Sequence, residues 1–463
     1  MKQATMVESK ERIGFLTRVA YGSGDVACNI VYGMISTLLV MFYTDYAGVP
    51  AYLAGLVMLI SRIFDGVSDV AMGYVVSKTH SRFGQSRPWI IRMALPYAIG
   101  AVLLFAIPQT NSALVQFLYM FITYNFVTTV CYTAINLPYG SLSVMMTRDG
   151  HEREMLSVFR MAMSPVGRII AVTFTLPLVQ YLGNDQAAWI KAMALWSVLA
   201  VILLVFCFVR CKENVHIEAR EKQSDIPLLT HLKVLVKNRY FWAVLILWAL
   251  QGTLQTVTGT ILPYYCKYIY HNDSWMYSTL YLAETVTIIV VVMICPFLRR
   301  WLSKSKSILI GAVLCVVAQL LFMANPYRFE WCMFTTILRG IGQAPLSAFI
   351  FSMIGDVVEY GQWKTHIRQE SFIFSGGSVG AKVGMGAAQA AITGIMTMCG
   401  YISSTGADVV QPQMAIDSIR YIYIFAPIIL MVLAMIVCAL YRLDKMYPSI
   451  MKDLKEREAQ GTL

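Results

Sequence analysis

Charged residues are scarce in this chain of 463 residues. Asp, Glu, Lys and Arg make up 14% of the sequence and hydrophobic residues 57%, and the mean hydropathy is +0.60. A soluble globular protein carries about a quarter charged residues, so this composition excludes a soluble enzyme of this size. The charges that are present cluster between long apolar runs. The sequence therefore predicts a polytopic membrane protein whose surroundings are a lipid bilayer.

Patterns of metal ligands and catalytic groups are also lacking. The ten cysteines show no paired spacing of a metal site, and most fall inside apolar runs, where they are interpreted as small core residues. No spacing of a nucleophile with a base stands out. We therefore expect neither an enzyme nor a protein with a cofactor or a metal site. The stretch 1–12 has no short apolar core with a cleavage site, so it is interpreted as a tail and not as a signal peptide.

Apolar runs of spanning length are what the sequence has in abundance. A helix of about 20 residues crosses a hydrocarbon core of about 30 Å. The runs lie at 15–46, 51–78, 89–108, 113–146, 156–183, 186–210, 238–270, 275–298, 307–324, 330–358, 371–398 and 418–441. The expected fold class is an all-α membrane protein with twelve transmembrane helices, and their even number places both termini on one side.

The loops between these runs differ in charge. Most loop lysines and arginines lie in alternate loops, namely 80–87, 147–154, 210–239, 299–306 and 364–368, and we call this side of the chain the basic end. The opposite loops, which define the neutral end, hold almost none; they lie around 47–50, 109–112, 184–185, 271–274, 325–329 and 399–417. The positive-inside rule places the basic end and both termini in the cytoplasm. The same distribution argues against nucleic acid as the partner of the +11 net charge.

The longest charged connection follows the sixth run. It predicts two six-helix bundles at 1–210 and 238–441, a cytoplasmic linker at 211–237 and a cytoplasmic tail at 442–463. Two such bundles are suited to rocking around a central site. We expect the protein to be a monomer.

Two acids in the second apolar run are the most informative feature of the chain. Asp65 and Asp69 lie four residues apart, so they share a helix face near mid-membrane, with Arg62 one turn before Asp65. Because an ionised carboxylate in hydrocarbon is costly, intramembrane acids usually line an ion pathway. A structural pair with Arg62 is the alternative, but one arginine does not neutralise two acids. The pair therefore favours a cation site.

Other polar groups are also embedded in apolar runs. Lys382 lies within a glycine-rich run and needs an anionic partner, for which Asp65, Asp69 or an acidic substrate are candidates. Arg160 is either a snorkelling anchor or an inward-pointing group. The neutral groups are candidates for substrate contact or for interhelical hydrogen bonds. They accompany one further acid on the first run and are Asp25, Asn29, Thr133, Asn136, Tyr139, Gln251 and Gln255.

Several short motifs occur in collinear order. They are Tyr21–Asp25, Ser61–Asp69, Ser81–Trp89, Asn136–Leu142, Asp356–Gly361 and Arg368–Lys382. With these motifs the chain resembles the glycoside–pentoside–hexuronide:cation symporters, and most closely their bacterial glucuronide carrier branch. The resemblance covers nearly the whole chain. It implies a major facilitator fold in the bacterial cytoplasmic (inner) membrane and secondary transport of a sugar.

The resemblance and the residue positions together give three sets of candidate site residues. The cation-coupling set is Asp65, Asp69, Thr133 and Lys382. The substrate-binding set is Asp25, Asn29, Asn136, Tyr139, Arg160, Gln251, Gln255 and Lys382. The gating set is Arg62, Arg82, Arg87, Asp356 and Glu359.

Departures from the family pattern bear on substrate and ion. Well-studied members carry aspartates where this chain has Asn29 and Asn136, whereas the basic groups Arg160 and Lys382 are kept. Losing negative charge makes the site more attractive to an anion, so a glucuronide or a sulfo-sugar is the leading substrate class. Ser68 and Asn136 also leave fewer hard oxygen ligands than a sodium site needs, whereas a proton needs a single carboxylate. We therefore favour H+ over Na+ as the coupling ion.

Three alternatives stay open. The chain could be a uniporter or an exchanger of neutral glycosides or pentosides, or it could carry a lipid substrate. From a different class, it could be a membrane sugar sensor, although sensors of this origin usually carry long soluble extensions. Counterflow of labelled sugar in vesicles separates a transporter from a sensor.

Overall fold

A computed structural model describes residues 13–77, 79, 81–109, 112–147, 150–213, 234–272, 274–298, 301–365, 370–405 and 409–460. Within these ranges the chain is helical with short connections. The N-terminal half contains α1 (Phe15–Thr37), α2 (Leu39–Asp45), α3 (Ala51–Ser77), α4 (Arg87–Leu103), α5 (Ala113–Asn125), α6 (Thr133–Met146), α7 (Gly150–Tyr181) and α8 (Gln186–Arg210). The C-terminal half contains α9 (Arg239–Tyr268), α10 (Trp275–Leu298), α11 (Lys304–Phe322), α12 (Phe329–Thr365), α13 (Glu370–Met398), α14 (Gln413–Leu440) and α15 (Leu443–Ala459).

Each predicted apolar run coincides with one helix or with helices that follow one another directly. The first run is divided into α1 and α2, which are bent by 46°. The fourth run contains α5, a π-helical segment at Phe126–Tyr132 and α6. By length and apolar composition, eight helices of the described part are able to cross a membrane, or nine if α1 and α2 form one span. The predicted all-α membrane fold class is confirmed, and helices are what hydrocarbon demands, since they satisfy their own backbone hydrogen bonds.

The chain divides into two compact units. The first contains residues 1–35 and 64–221, and the second contains 36–63 and 222–463. The segment 36–63 therefore packs with the C-terminal half, although the sequence assigns it to the first bundle. Of the predicted linker 211–237, residues 214–233 lie outside the described residues, and the bundle boundaries stay a prediction.

Small residues set the helix packing in the second unit. A Cβ added at Gly311 of α11 would lie 2.5 Å from the carbonyl oxygen of Gly342 on α12, so these two helices need glycine to approach so closely. Gly252 of α9 lies against Ala381 of α13, with 3.4 Å between the added Cβ and the Ala381 carbonyl oxygen. The glycine-rich run that surrounds Lys382 is thus a packing surface for α9.

A buried ion pair joins α10 and α12. The Nη2 of Arg339 lies 2.9 Å from Oε2 of Glu284, and its Nε donates to the other carboxylate oxygen at 3.2 Å. Gln343 also donates to Glu284, at 3.3 Å, and the guanidinium lies 4.9 Å from the ring centre of Tyr423. Because Arg339 is 1% exposed, this bidentate pair is a structural core of the second unit.

The segment after the last apolar run is a docked helix. In α15, the Asp444 carboxylate accepts hydrogen bonds from the backbone N–H and the hydroxyl of Ser305, at 2.8 and 2.6 Å. The Trp363 indole donates to Asp453 at 3.1 Å. The predicted cytoplasmic tail 442–463 therefore folds against α11 and α12 through residue 459.

Candidate functional site

Three predicted substrate residues meet inside the first unit. The Nε of Arg160 on α7 lies 3.5 Å from Oδ2 of Asp25 on α1. The same guanidinium donates a hydrogen bond of 3.3 Å to Oδ1 of Asn136 on α6. Arg160 thus points inward, and three helices contribute one polar group each. Sequence reasoning counted Arg160 as a free positive charge, whereas its charge is compensated by Asp25.

An aromatic wall borders this polar group. The guanidinium of Arg160 lies 4.9 Å from the ring centre of Tyr139, which stacks on Tyr21 at a centroid distance of 4.8 Å. Each hydroxyl of this tyrosine pair donates to the other residue's backbone carbonyl. Such an arrangement offers a flat apolar face next to charged and amide groups, which suits a ligand with both ring surface and hydroxyls.

The other asparagine of the predicted set is held by its neighbours. The Asn29 amide donates to the Asp25 carbonyl at 2.9 Å and to the Ser164 hydroxyl at 3.0 Å. The Asn136 amide donates to the hydroxyl of Tyr132 at 3.2 Å. Ser164 and Tyr132 were missed by the sequence analysis, because neither residue type stands out in an apolar run.

A buried threonine bonds the first coupling acid. Asp65 is buried in α3, and the Thr129 hydroxyl donates to its Oδ1 at 2.7 Å. The sequence analysis selected Thr133, which is also buried but lies one turn further along the chain. Asp69 lies in α3, and its side chain is outside the described residues. The Ser68 hydroxyl donates to the Asp65 carbonyl at 3.0 Å.

The predicted site residues of the second unit lie on α9 and α13. The Gln251 amide donates to the Ser347 hydroxyl of α12 at 3.2 Å, and Gln255 lies one turn further on α9. Both glutamines are half-buried, as is Lys382 on α13. The packing of Gly252 against Ala381 brings α9 beside α13 at the level of Lys382.

The predicted gating arginines of the first half make separate contacts. Arg62 belongs to the second unit, where it is buried, and an added Cβ at Gly386 would lie 2.7 Å from its Cγ. Arg87 donates to the Phe208 carbonyl at 2.6 Å. Arg82 is exposed and its guanidinium lies over the Phe83 ring.

The two gating acids of the second unit connect α12 to different helices. Asp356 forms a buried ion pair with Lys304 of α11, at 2.5 Å. Glu359 accepts a hydrogen bond from the hydroxyl of Tyr447 on α15. The two acids therefore belong to one network at the basic end of this unit.

Comparison with known proteins agrees with this geometry. Residues 20–445 match the family described as MFS/sugar transport protein. The chain is 31% identical to the isoprimeverose transporter of Lactiplantibacillus pentosus, covering 99% of this chain and 95% of the relative. Identity is 29% with the putative glycoside/cation symporter YagG of Escherichia coli, over 100% of this chain and 97% of the relative. It is 27% with the glucuronide carrier protein homolog of the same organism, over 97% of both chains.

A solved structure shares the fold. The bacterial homolog of the human lysosomal transporter Spinster, in an inward-facing and unoccupied conformation, superposes with a TM-score of 0.66. The alignment covers 94% of this chain and 97% of that chain at 9% sequence identity. At this identity the likeness supports the fold alone.

Proposed function

Because the chain belongs to the family of MFS/sugar transport proteins, we propose that it carries a glycoside across the bacterial cytoplasmic membrane by cation symport with alternating access. Membership makes it a multi-pass membrane transporter of a sugar and not an enzyme. The observation that carries the proposal is the group formed by Asp25, Arg160 and Asn136 beside the Tyr139 ring. A carboxylate, a guanidinium and an amide next to an aromatic face are the groups that bind the hydroxyls and the apolar face of a sugar.

We propose an acidic glycoside, such as a glucuronide or a sulfo-sugar, as the substrate. Asn29 and Asn136 add no negative charge, and Arg160 and Lys382 outnumber Asp25 by one charge. If the coupling acids are neutralised by their own cation, one positive charge remains for a carboxylate or a sulfonate. A relative named as a glucuronide carrier homolog supports this class.

A neutral glycoside is the second candidate, and one observation favours it. Asp25 already lies 3.5 Å from Arg160, so the cluster of the first unit is balanced without a substrate anion. A balanced pair binds hydroxyls by donating from the guanidinium and accepting at the carboxylate. The relative named as an isoprimeverose transporter fits this second class.

For the coupling ion we propose a proton, with Asp65 and Asp69 as the binding groups. Thr129 supplies one oxygen beside Asp65, and Ser68 bonds a backbone carbonyl. Hard cations such as sodium prefer several oxygen ligands. A carboxylate with one hydroxyl neighbour needs no further ligand to exchange a proton.

Uptake into vesicles tests ion and substrate together. We expect an inward proton gradient to drive accumulation of a glucuronide, and sodium at constant pH to leave the half-saturation concentration unchanged. The measurement compares a panel of acidic glycosides with their neutral amides and alcohols. A large fall of that concentration on adding sodium would replace the proton by sodium, and accumulation of the neutral members alone would replace the substrate class.

Substitution of Lys382 tests the charge of the substrate within one protein. A charge-assisted hydrogen bond contributes about 1.5–3 kcal/mol, so Lys382→Ala should weaken binding of an acidic glycoside about 10- to 150-fold. Its neutral amide should lose far less. The control is Lys452→Ala, because Lys452 is 78% exposed on α15. Equal losses for acid and amide would make Lys382 a coupling residue and not an anion ligand.

A further inference from the structure

A cluster of polar groups surrounds Asp45 at the end of α2, in the second unit. The carboxylate is fully buried. Lys267 pairs with its Oδ2 at 2.5 Å, and the Tyr268 hydroxyl donates to the same oxygen at 2.8 Å. Oδ1 accepts from the Thr44 hydroxyl at 2.8 Å and from Tyr401. An acid buried with this many donors is a built site, and the proposed transport site uses none of its members.

Backbone contacts reinforce the cluster. The Ser404 N–H donates to the Thr44 carbonyl, and the Ser404 hydroxyl donates to the Asp45 carbonyl, both at 2.8 Å. Next along the chain, Gly48 has a φ of +67° and lies against Thr405. The turn that follows α2 is thereby attached to the stretch after α13.

The two sides of these contacts come from different halves of the sequence. Asp45 belongs to the segment 36–63, which lies in the first half of the chain but packs within the second unit. Its partners are residues of α9 and of the stretch 399–412. In contrast, Glu284 and Arg339 both come from the C-terminal half. The Asp45 cluster therefore connects the two halves, whereas the Glu284–Arg339 pair does not.

We propose that the Asp45 cluster is a latch at the neutral end. While intact, it holds 36–63 against α9 and the stretch 399–412, and its release opens the neutral end, which the loop charges place outside the cell. The inference rests on the proposed alternating access, since a transporter must open each end in turn. Release exposes Asp45 and Lys267 to water together, so hydration of both charges offsets the lost pairing.

The tyrosine of the latch stays a hydrogen-bond donor. Burial, and then the nearby Asp45 carboxylate, raise the pKa of Tyr401 well above its usual value. Its hydroxyl is therefore protonated at physiological pH and donates to Asp45. The latch is thus held by charge and hydrogen bonding that do not depend on a bound sugar.

Accessibility of a reporter cysteine tests the latch. Thr37 is buried eight residues before Asp45, close to Gly259 of α9. In a Cys399→Ser background, Thr37→Cys is labelled from outside with a membrane-impermeant maleimide. Removing one charge-assisted hydrogen bond by Asp45→Asn or Lys267→Met should raise the labelling rate about 10- to 150-fold.

The matched control changes an acid that does not join the two halves. Asp417 pairs with Arg420 of its own helix at 3.0 Å, so Asp417→Asn should leave labelling of Thr37→Cys unchanged. Labelling that stays at the parental rate in both Asp45→Asn and Lys267→Met would overturn the latch, as would an equal rise in Asp417→Asn. Since no sugar is needed, failure of uptake in the parent would count against the proposed function alone.

A cross-link decides the matter if the substitutions prevent folding. An added Cβ at Gly48 would lie 2.8 Å from Cγ2 of Thr405, so Gly48→Cys with Thr405→Cys places two thiols for a disulfide. Oxidation should stop transport in vesicles, and reduction should restore it. Transport at the parental rate after complete oxidation would overturn the latch.

Discussion

Replacing Asp65 by asparagine is expected to abolish uphill accumulation of the sugar. The amide neither binds a proton at physiological pH nor supplies negative charge to a cation, so the gradient no longer drives uptake. Exchange of labelled for unlabelled sugar should continue, because exchange proceeds without net return of the ion. The measurement is the accumulation ratio in energised vesicles, which should fall to about one, alongside the exchange rate. Asp69→Asn should behave in the same way.

Threonine variants grade this result. Thr129 donates to Asp65 at 2.7 Å, so Thr129→Val should weaken ion coupling, whereas Thr129→Ser keeps the hydroxyl and should resemble the parent. Thr133→Val is the comparison, because the sequence analysis selected Thr133. A parental accumulation ratio in both Asp65→Asn and Asp69→Asn would exclude this acid pair from coupling.

Breaking the buried pair of the second unit is expected to have the largest effect on stability. Arg339→Met leaves the Glu284 carboxylate buried without its partner, which costs about 3–5 kcal/mol of unfolding free energy. The double variant Glu284→Leu with Arg339→Met removes both charges and should recover most of that loss. Unfolding in detergent, followed by the exposure of buried cysteines, measures both.

An exposed pair provides the control for this prediction. Arg328 and Glu330 lie 3.2 Å apart with side chains that are 69% and 76% exposed. Such a pair contributes about 0–1 kcal/mol, so Arg328→Met should be close to the parent. If Arg339→Met and the double variant lost equal stability, the lost packing of Arg339 and not its charge would be responsible.

The helices of the fold follow directly from hydropathy. Each apolar run is long enough to span a bilayer, and in hydrocarbon a single chain segment has the helix as its way of bonding its backbone. The bend between α1 and α2 and the division of the fourth run were not predicted, because run length carries no signal for them. The docking of α15 depends on Asp444 and Asp453, which in the sequence resemble ordinary tail charges.

The site was predicted in its residues but not in its pairing. Asp25, Asn136 and Arg160 were selected individually because each is a polar group in an apolar run. Their meeting depends on how α1, α6 and α7 pack, which helical spacing within one run does not reveal. Thr129 was passed over for Thr133 for the same reason, since the choice between threonines one turn apart is made by α3.

Asp45 was missed for a different reason. It lies at the last turn of the run 15–46, where a single acid resembles the boundary of a transmembrane segment. Its importance comes from Lys267 and Tyr401, which are more than two hundred residues away in the sequence. An acid at the neutral end with no basic neighbour in its own loop is the signal that could have found it.

The π-helical segment at Phe126–Tyr132 has a consequence for the length of the fourth span. A π turn accommodates one more residue than an α turn, and each residue of an α-helix advances by about 100° around the axis. Deleting one residue here would restore regular winding and turn everything that follows by about that angle. Asn136 and Tyr139 would then leave Arg160, although neither had been changed. The fourth span should therefore tolerate substitutions far better than single-residue deletions.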